Sequence, residues 1–280
     1  MSSTPQNEIL LSARLSVRYS GKEPVLRGVQ IEIRRGEVLG LVGQSGSGKS
    51  TLAMAILGLL DKKRAHAEGT IRFQDSELLQ LSERELRTLR GHAVALVLQS
   101  PLSSLNPALK IRTQLREAWR AHATGGNSEC SDAIRACLQS VSLPADDEFL
   151  RKHPSQMSVG QAQRVLIAMA VMHRPALLIA DEATSALDVI TQAEILSLFR
   201  ELNRSTGMAI LYISHDLASV AGICDRIAIL HQGEIVECGT TEQIFAHPQH
   251  EYTQRLMAAL PRILPTNAQF QEKADAAAGH

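Results

Sequence analysis

The sequence predicts an α/β fold with a mostly parallel sheet, an N-terminal antiparallel β subdomain and an inserted α-helical subdomain. Three observations carry that reading. Short, continuously apolar runs at residues 38–42, 93–98, 177–180, 209–213 and 227–230 have the character of strands buried on both faces. Helix-patterned segments, such as 159–173 and 191–203, alternate with them. The first run passes straight into a glycine-rich turn and then a helical pattern, which makes a strand, loop, helix unit.

Ahead of that unit, residues 10–17 and 25–33 show partial alternation, and Gly21 lies in the turn between them, as in an antiparallel hairpin. From Leu98 to Ala176 there is no strong strand signal. Helical spacing at 113–123 and 131–141 instead flanks a polar, Gly-containing break at 125–128, which places a helical subdomain at about residues 100–175. The main domain is expected to span residues 8–262. Residues 1–7 are polar and expected to be flexible, and the polar, Ala-rich stretch 263–280 is expected to be a disordered tail.

The 280 residues are 44% hydrophobic and 21% charged, so a sizeable core can be buried and disorder is excluded for most of the chain. Twenty-nine basic residues balance 29 acidic ones, which removes any global electrostatic footprint for nucleic acid or an anionic membrane. No nucleic-acid partner is expected. Apolar stretches such as 165–172 fall far short of the roughly 18 residues of a spanning helix. The polar start has neither the basic nor the apolar segment of a secretory signal, so a cytosolic location is expected. Cys130, Cys137, Cys224 and Cys238 form no CxxC pair and read as reduced thiols.

Gly43-Gln44-Ser45-Gly46-Ser47-Gly48-Lys49-Ser50-Thr51 fits G-x-x-x-x-G-K-[ST] and stands between an apolar strand and a helix. Glycines let the backbone curl so that successive N–H groups converge on phosphate oxygens, and the following helix presents its positive end. Lys49 is expected to reach the β- and γ-phosphates, Ser50 to offer its hydroxyl to Mg²⁺, and Thr51 to contact the α-phosphate region. A nucleoside triphosphate site follows.

The run 177–180 ends in Asp181 and Glu182, and ligands bind at the carboxyl ends of parallel strands. Asp181 suits the Mg²⁺ shell, whereas Glu182, one residue on, points elsewhere and suits a base that orients or deprotonates the attacking water. Ser214-His215-Asp216 follows the run 209–213 in the same way, so His215 is a candidate γ-phosphate or water contact. Gln99 follows the run 93–98, and its neutral amide could complete the Mg²⁺ or water shell. Lys49, Gln99, Glu182 and His215 form the candidate catalytic set.

Met157-Ser158-Val159-Gly160-Gln161 precedes this acidic strand and resembles the L-S-G-G-Q signature of ABC transporter nucleotide-binding subunits. Ser185-Ala186-Leu187-Asp188 follows the strand as that family's D-loop does. The resemblance covers roughly residues 8–262. It implies a P-loop NTPase core of the ABC ATPase type, ATP as cofactor with Mg²⁺, and a dimer in which one subunit's signature closes over the other's phosphate loop. Ser158, Gly160, Gln161 and Asp188 are then nucleotide-binding residues, and Tyr19 stands where the family places an adenine-stacking aromatic. Met157 and Val159 depart from the usual Leu and Gly. A β-branched residue cannot adopt a positive φ cheaply, so a site needing glycine geometry at 159 would be slow. Ala183 stands where many relatives have Pro.

Gln99-Ser100-Pro101-Leu102-Ser103-Ser104-Leu105-Asn106-Pro107 and the stretches Ile235–Gly239 and His250–Leu256 resemble the oligopeptide, dipeptide and nickel importer branch. That resemblance implies an ATPase subunit peripheral to the cytoplasmic face of the inner membrane. Its partners would be a second ATP-binding subunit, identical or paralogous, integral membrane permease subunits and, indirectly, an extracytoplasmic solute-binding protein. Some members of the branch bind an iron–sulfur cluster through C-terminal cysteines, but no Cys follows Cys238, so no cluster is expected. A soluble ABC-type ATPase serving a cytosolic complex such as phosphonate metabolism is the alternative.

Overall fold

The computed structural model describes residues 8–259, so the segments expected to be a flexible N-terminus and a disordered tail lie outside the described residues. The chain opens with the expected hairpin, β1 (Ile9–Tyr19) and β2 (Pro24–Arg34), closed through Gly21 at φ +71°. Strand β3 (Val38–Val42) leads through the glycine-rich loop into α1 (Lys49–Ile56). Strands β4 (Ala65–Phe73) and β5 (Ser76–Glu77) and helix α2 (Glu83–Leu89) precede β6 (Val94–Val97). Five consecutive helices follow: α3 (Pro101–Ser104), α4 (Ile111–Arg120), α5 (Asn127–Ser140), α6 (Asp147–Arg151) and α7 (Val159–Val171). The chain then returns through β7 (Leu177–Asp181), α8 (Val189–Thr206), β8 (Ala209–Ser214), α9 (Leu217–Ile223) and β9 (Arg226–His231). It closes with β10 (Glu234–Thr240), α10 (Thr241–Ala246) and α11 (Glu251–Ala258).

Six strands form the main sheet in the order β10-β9-β3-β8-β7-β6, parallel except for the β9–β10 pair. The order β2-β1-β4-β5 makes a separate antiparallel sheet. Successive side chains of a strand point to opposite faces, and here both faces are covered. In β3, Leu39 and Leu41 join the core shared with the antiparallel sheet and α1, while Val38 and Val42 join the core beneath the helices. Strand β8 divides likewise, with Leu211 and Ile213 on one side and Ile210 and Tyr212 on the other. Each fully buried Leu or Ile stabilises the fold by roughly 1.5–3 kcal/mol. That two-sided burial is the physical reason the parallel strands read as unbroken apolar runs.

Strand β4 gave no such signal. Within it only Ile71 and Phe73 are buried, yet it pairs with β1 along nearly its whole length. Gly69 makes that pairing possible: its φ is +122°, and a Cβ there would stand 2.0 Å from the Arg14 carbonyl oxygen. Strand β10 is half-exposed at the sheet edge, and its antiparallel pairing follows a tight turn at Gln232 and Gly233, both at positive φ.

The helical segment is tied to the sheet domain at several points. Arg164 on α7 donates to the Val141 carbonyl at 3.0 Å and to Glu194 on α8 at 2.9 Å. The four cysteines are free thiols. Cys137 Sγ donates to the Ala168 carbonyl at 2.8 Å, and burial pushes its thiol up to about 12.

Candidate functional site

Sheet register aligns the site. Val42 pairs with Ser214, Asp181 with Ile213, and Val97 with Ala180, so Gly43, Gln99, Glu182 and His215 all emerge from the same carboxyl edge. This is the edge where open parallel sheets bind ligands.

The loop between β3 and α1 has a backbone that glycine makes possible. Gly46 and Gly48 sit at φ +81° and +109°. A Cβ on Gly43 would stand 2.2 Å from the Leu230 carbonyl oxygen and 2.7 Å from Ser47 Oγ. Lys49 is buried and folds back over the loop, donating to the carbonyls of Gly43 at 2.8 Å and Gln44 at 3.0 Å. Burial lowers its pKa, while Glu182 and Asp181 act to raise it. An ammonium held this way is shielded from water and faces carboxylates and any incoming phosphate.

Asp181 is buried, and its Oδ1 has no hydrogen-bond partner. Burial raises its carboxyl pKa, partly offset by the nearby Ser50 hydroxyl and the Lys49 charge. An orphaned carboxylate oxygen beside a serine hydroxyl is the donor set that a hard cation takes. Glu182 stands next at φ +49°, a left-handed conformation costly for a residue with a Cβ, and its N–H donates to the Ile213 carbonyl at 2.9 Å. That turn directs its carboxylate away from Asp181 and toward His215, whose Nδ1 lies 3.4 Å from Glu182 Oε1.

A buried hydroxyl network underlies this pair, and it was not foreseen from sequence. Thr184 Oγ1 lies 2.9 Å from the Tyr212 hydroxyl, which donates to Ser219 Oγ at 3.2 Å. Ser219 Oγ lies 3.3 Å from Ser214 Oγ, which accepts from the Asp216 N–H at 3.0 Å. Asp216 also accepts from Gln192 on α8 at 3.0 Å. The residues flanking Glu182 and His215 are therefore pinned, but a tyrosine within an apolar strand carries no sequence sign of that role.

Two grooves meet at the loop. One, of ≈ 400 Å³, runs from Tyr19, Lys22 and Val25 over Ser45, Gly46, Gly48, Lys49, Ser50 and Thr51 to Glu182. The other, of ≈ 410 Å³, holds Gln99 with Ser45, Ser50, Asp181 and Glu182. Tyr19, at the end of β1, is thereby placed at the far end of the phosphate loop, and Gln99 at the acidic end.

Ser158, Gly160, Gln161 and Asp188 are absent from both grooves among the described residues. They form a separate surface. Ser158 caps α7, accepting from Gln161 N at 3.1 Å while the Gln161 side chain accepts from Ser158 N at 3.2 Å. Asp188 caps α8, accepting from Thr191 N at 3.0 Å and Thr191 Oγ1 at 2.7 Å; these bonds hold its carboxyl below the usual range. The two caps touch: a Cβ on Gly160 would stand 2.7 Å from Thr191 Cγ2. Val159 is the first residue of α7 and is not among the positive-φ residues, so this backbone does not call for glycine geometry at 159. Val159, Val189 and Ile190 are exposed around this surface.

Comparison with known proteins matches residues 26–185 to the ABC transporter family and residues 236–279 to the oligopeptide/dipeptide transporter C-terminal region. The dipeptide transport ATP-binding protein DppD of Bacillus subtilis is 40% identical over 246 residues, 88% of this chain and 73% of that protein. The glutathione import ATP-binding protein GsiA of Salmonella choleraesuis is 41% identical over 256 residues, 89% of this chain but 41% of that longer protein. Among solved structures, cbiO1 from Clostridium perfringens, part of the ABC transporter complex cbiONQ, superposes with a TM-score of 0.75 at 26% identity, covering 92% of this chain and 98% of that one. The dimeric, post-hydrolysis ATP-binding cassette MJ0796 bound to ADP and Pi superposes with a TM-score of 0.71 at 28% identity, covering 82% and 98%.

Proposed function

Because the chain belongs to the ABC transporter family, we propose that it drives uptake of peptides or a related small solute, such as glutathione or nickel, through a membrane permease. It is an ATP-binding and ATP-hydrolysing subunit of an ABC importer, and its relatives include proteins named for dipeptide transport and glutathione import. The observation that carries the chemistry is the alignment of Lys49, Asp181, Glu182 and His215 along one sheet edge. Among the described residues no helix is long and apolar enough to cross a membrane. The chain works as a peripheral subunit at the cytoplasmic face of the inner membrane, beside permease subunits and a second ATP-binding subunit. A solute-binding protein on the other side delivers the cargo. The soluble alternative is not favoured, since the similar proteins are importer subunits.

In the proposed mechanism the loop N–H groups and Lys49 hold the β- and γ-phosphates, and Tyr19 stacks on the adenine. Asp181 and Ser50, with Gln99 at the rim, would hold Mg²⁺, a fit supported by the partnerless Oδ1 of Asp181. When bound, Mg²⁺ supplies positive charge to the phosphate oxygens. Glu182 orients the attacking water and accepts its proton, and His215 holds Glu182 and the γ-phosphate in register. Ser158, Gly160, Gln161 and Asp188 close over the phosphate loop of the second subunit, with exposed Val159, Val189 and Ile190 giving that surface its apolar character.

The test is affinity capture of the full chain from gently solubilised native membranes, with mass spectrometry of what co-purifies. Two multi-spanning proteins and an ATPase are expected. Recovery of soluble enzymes alone overturns the transport role.

A further inference from the structure

We propose that the cleft between α4, α5 and α6 is a second anion site, built for a small phosphate-bearing ligand and separate from the phosphate loop. None of the residues that line it lines either groove at the loop, and none belongs to the stretch from Gln99 to Pro107.

The site begins in the sequence of α4. Arg112, Arg116 and Arg120 recur every fourth residue, so they share one face of the helix. Like charges at that spacing destabilise a helix, and here only the outer two are answered. Arg112 pairs with Asp147 on α6, and Arg120 donates to Asn127 Oδ1 on α5 at 3.0 Å. Arg116, between them, is half-buried and makes no hydrogen bond or ion pair among the described residues. Arg135 on α5 adds a third guanidinium to the lining beside Arg112 and Arg116; its own carboxylate partner, Asp132, lies on the same helix at 3.2 Å.

Helix α4 packs against both α5 and α6. The cleft they leave has a volume of ≈ 350 Å³, within the range of about 300–1,000 Å³ typical of small-molecule sites. Its lining divides by chemistry. Three guanidinia share the cleft with one carboxylate, that of Asp147, a local surplus of positive charge in a chain whose formal charge is zero. Asn127 also lines it and, with its Oδ1 taken by Arg120, keeps its amide N–H groups for a ligand. Ile134, Ala145 and Leu150 supply an apolar wall. A planar guanidinium offers two parallel N–H donors to a phosphate, and forks from two helices around one cavity favour a group with oxygens on several sides over a single carboxylate. A diphosphate matches both the surplus charge and the volume, and the apolar wall accepts an organic part attached to it. Such a ligand gives Arg116 the partner that the fold does not provide.

The experiment titrates inorganic pyrophosphate into the full-length chain by calorimetry. The wild-type chain should bind two per chain, one at the phosphate loop and one in this cleft. In a Lys49→Ala background, which weakens the loop, one should remain. Adding Arg116→Gln to that background should weaken the remaining site about tenfold or more, the effect of losing a charge-assisted hydrogen bond, and Arg116→Lys should recover part of the loss. Without pyrophosphate, the melting temperature of Arg116→Gln should be unchanged or higher, because the guanidinium has no partner in the protein. Co-sedimentation with phosphatidylglycerol vesicles then separates the two sources of the phosphate: sedimentation lost in Arg116→Gln assigns it to a lipid headgroup, and equal sedimentation assigns it to a soluble ligand. A single pyrophosphate site in the wild type that Lys49→Ala abolishes, or a second site that Arg116→Gln leaves intact, overturns the proposal.

Discussion

His215 Nδ1 lies 3.4 Å from Glu182 Oε1, although the two residues follow different strands of the main sheet. Glu182 reaches it only because its backbone turns to φ +49°. Strain of this kind, about 1–3 kcal/mol, persists where surrounding structure enforces it, and here the enforcing bonds run through Thr184, Tyr212, Ser219 and Ser214. Replacing His215 by Ala should lower ATP turnover by about 10²-fold or more while leaving ATP affinity within a few-fold. Steady-state kinetics beside equilibrium binding reads both; unchanged turnover removes His215 from the site.

Gly160 is required by the packing of α7 on α8, where an added methyl would meet Thr191 Cγ2 at 2.7 Å. Gly160→Ala should destabilise the fold by about 1–3 kcal/mol through overpacking. Thr191→Ser deletes that methyl and keeps the hydroxyl bonded to Asp188. The double variant should therefore recover most of the loss in denaturant melts. Additive effects would mean that the contact is not the cause.

Asp181 carries a buried oxygen with no partner in the protein. Asp181→Asn should remove most of the dependence of ATP binding on Mg²⁺, measured as affinity with Mg²⁺ and with a chelator. In the wild type chelation should weaken binding strongly, and in the variant it should change little. Equal Mg²⁺ dependence in both would assign the cation to other residues.

His122 is half-buried with His92 and His173, ring centroids 5.7 and 5.3 Å away. Its pKa is lowered from 6.5, first by burial and then by His173 and His92. The unfolded chain thus takes up a proton near pH 6.5 that the folded chain resists. This group costs no stability above that pH, and stability falls as pH drops from there toward the lower folded pKa. Melting temperatures between pH 7.5 and 5 should fall less steeply for His122→Gln than for the wild type; parallel curves would contradict this.

Legibility in the sequence followed burial. Strands β3, β7, β8 and β9 are covered on both faces and could be read as apolar runs, and Gly43 to Thr51 could be read because loop geometry demands those residue types. Strand β4 was hidden because its side chains are mostly exposed and Gly69 interrupts it. The signature was visible as a motif, yet its capping box and the Gly160 contact with Thr191 needed coordinates. Tyr212 was hidden for another reason: a tyrosine in a buried segment looks like packing until its hydroxyl is located.

The decisive measurement is ATP binding and ATP hydrolysis on one preparation of Glu182→Gln beside the wild type. If Glu182 orients the water and accepts its proton, the variant binds MgATP as tightly as the wild type, hydrolyses it at least about 10²-fold more slowly, and accumulates as an ATP-bound dimer. Hydrolysis at the wild-type rate with binding intact would contradict the assignment of the chemistry to this sheet edge.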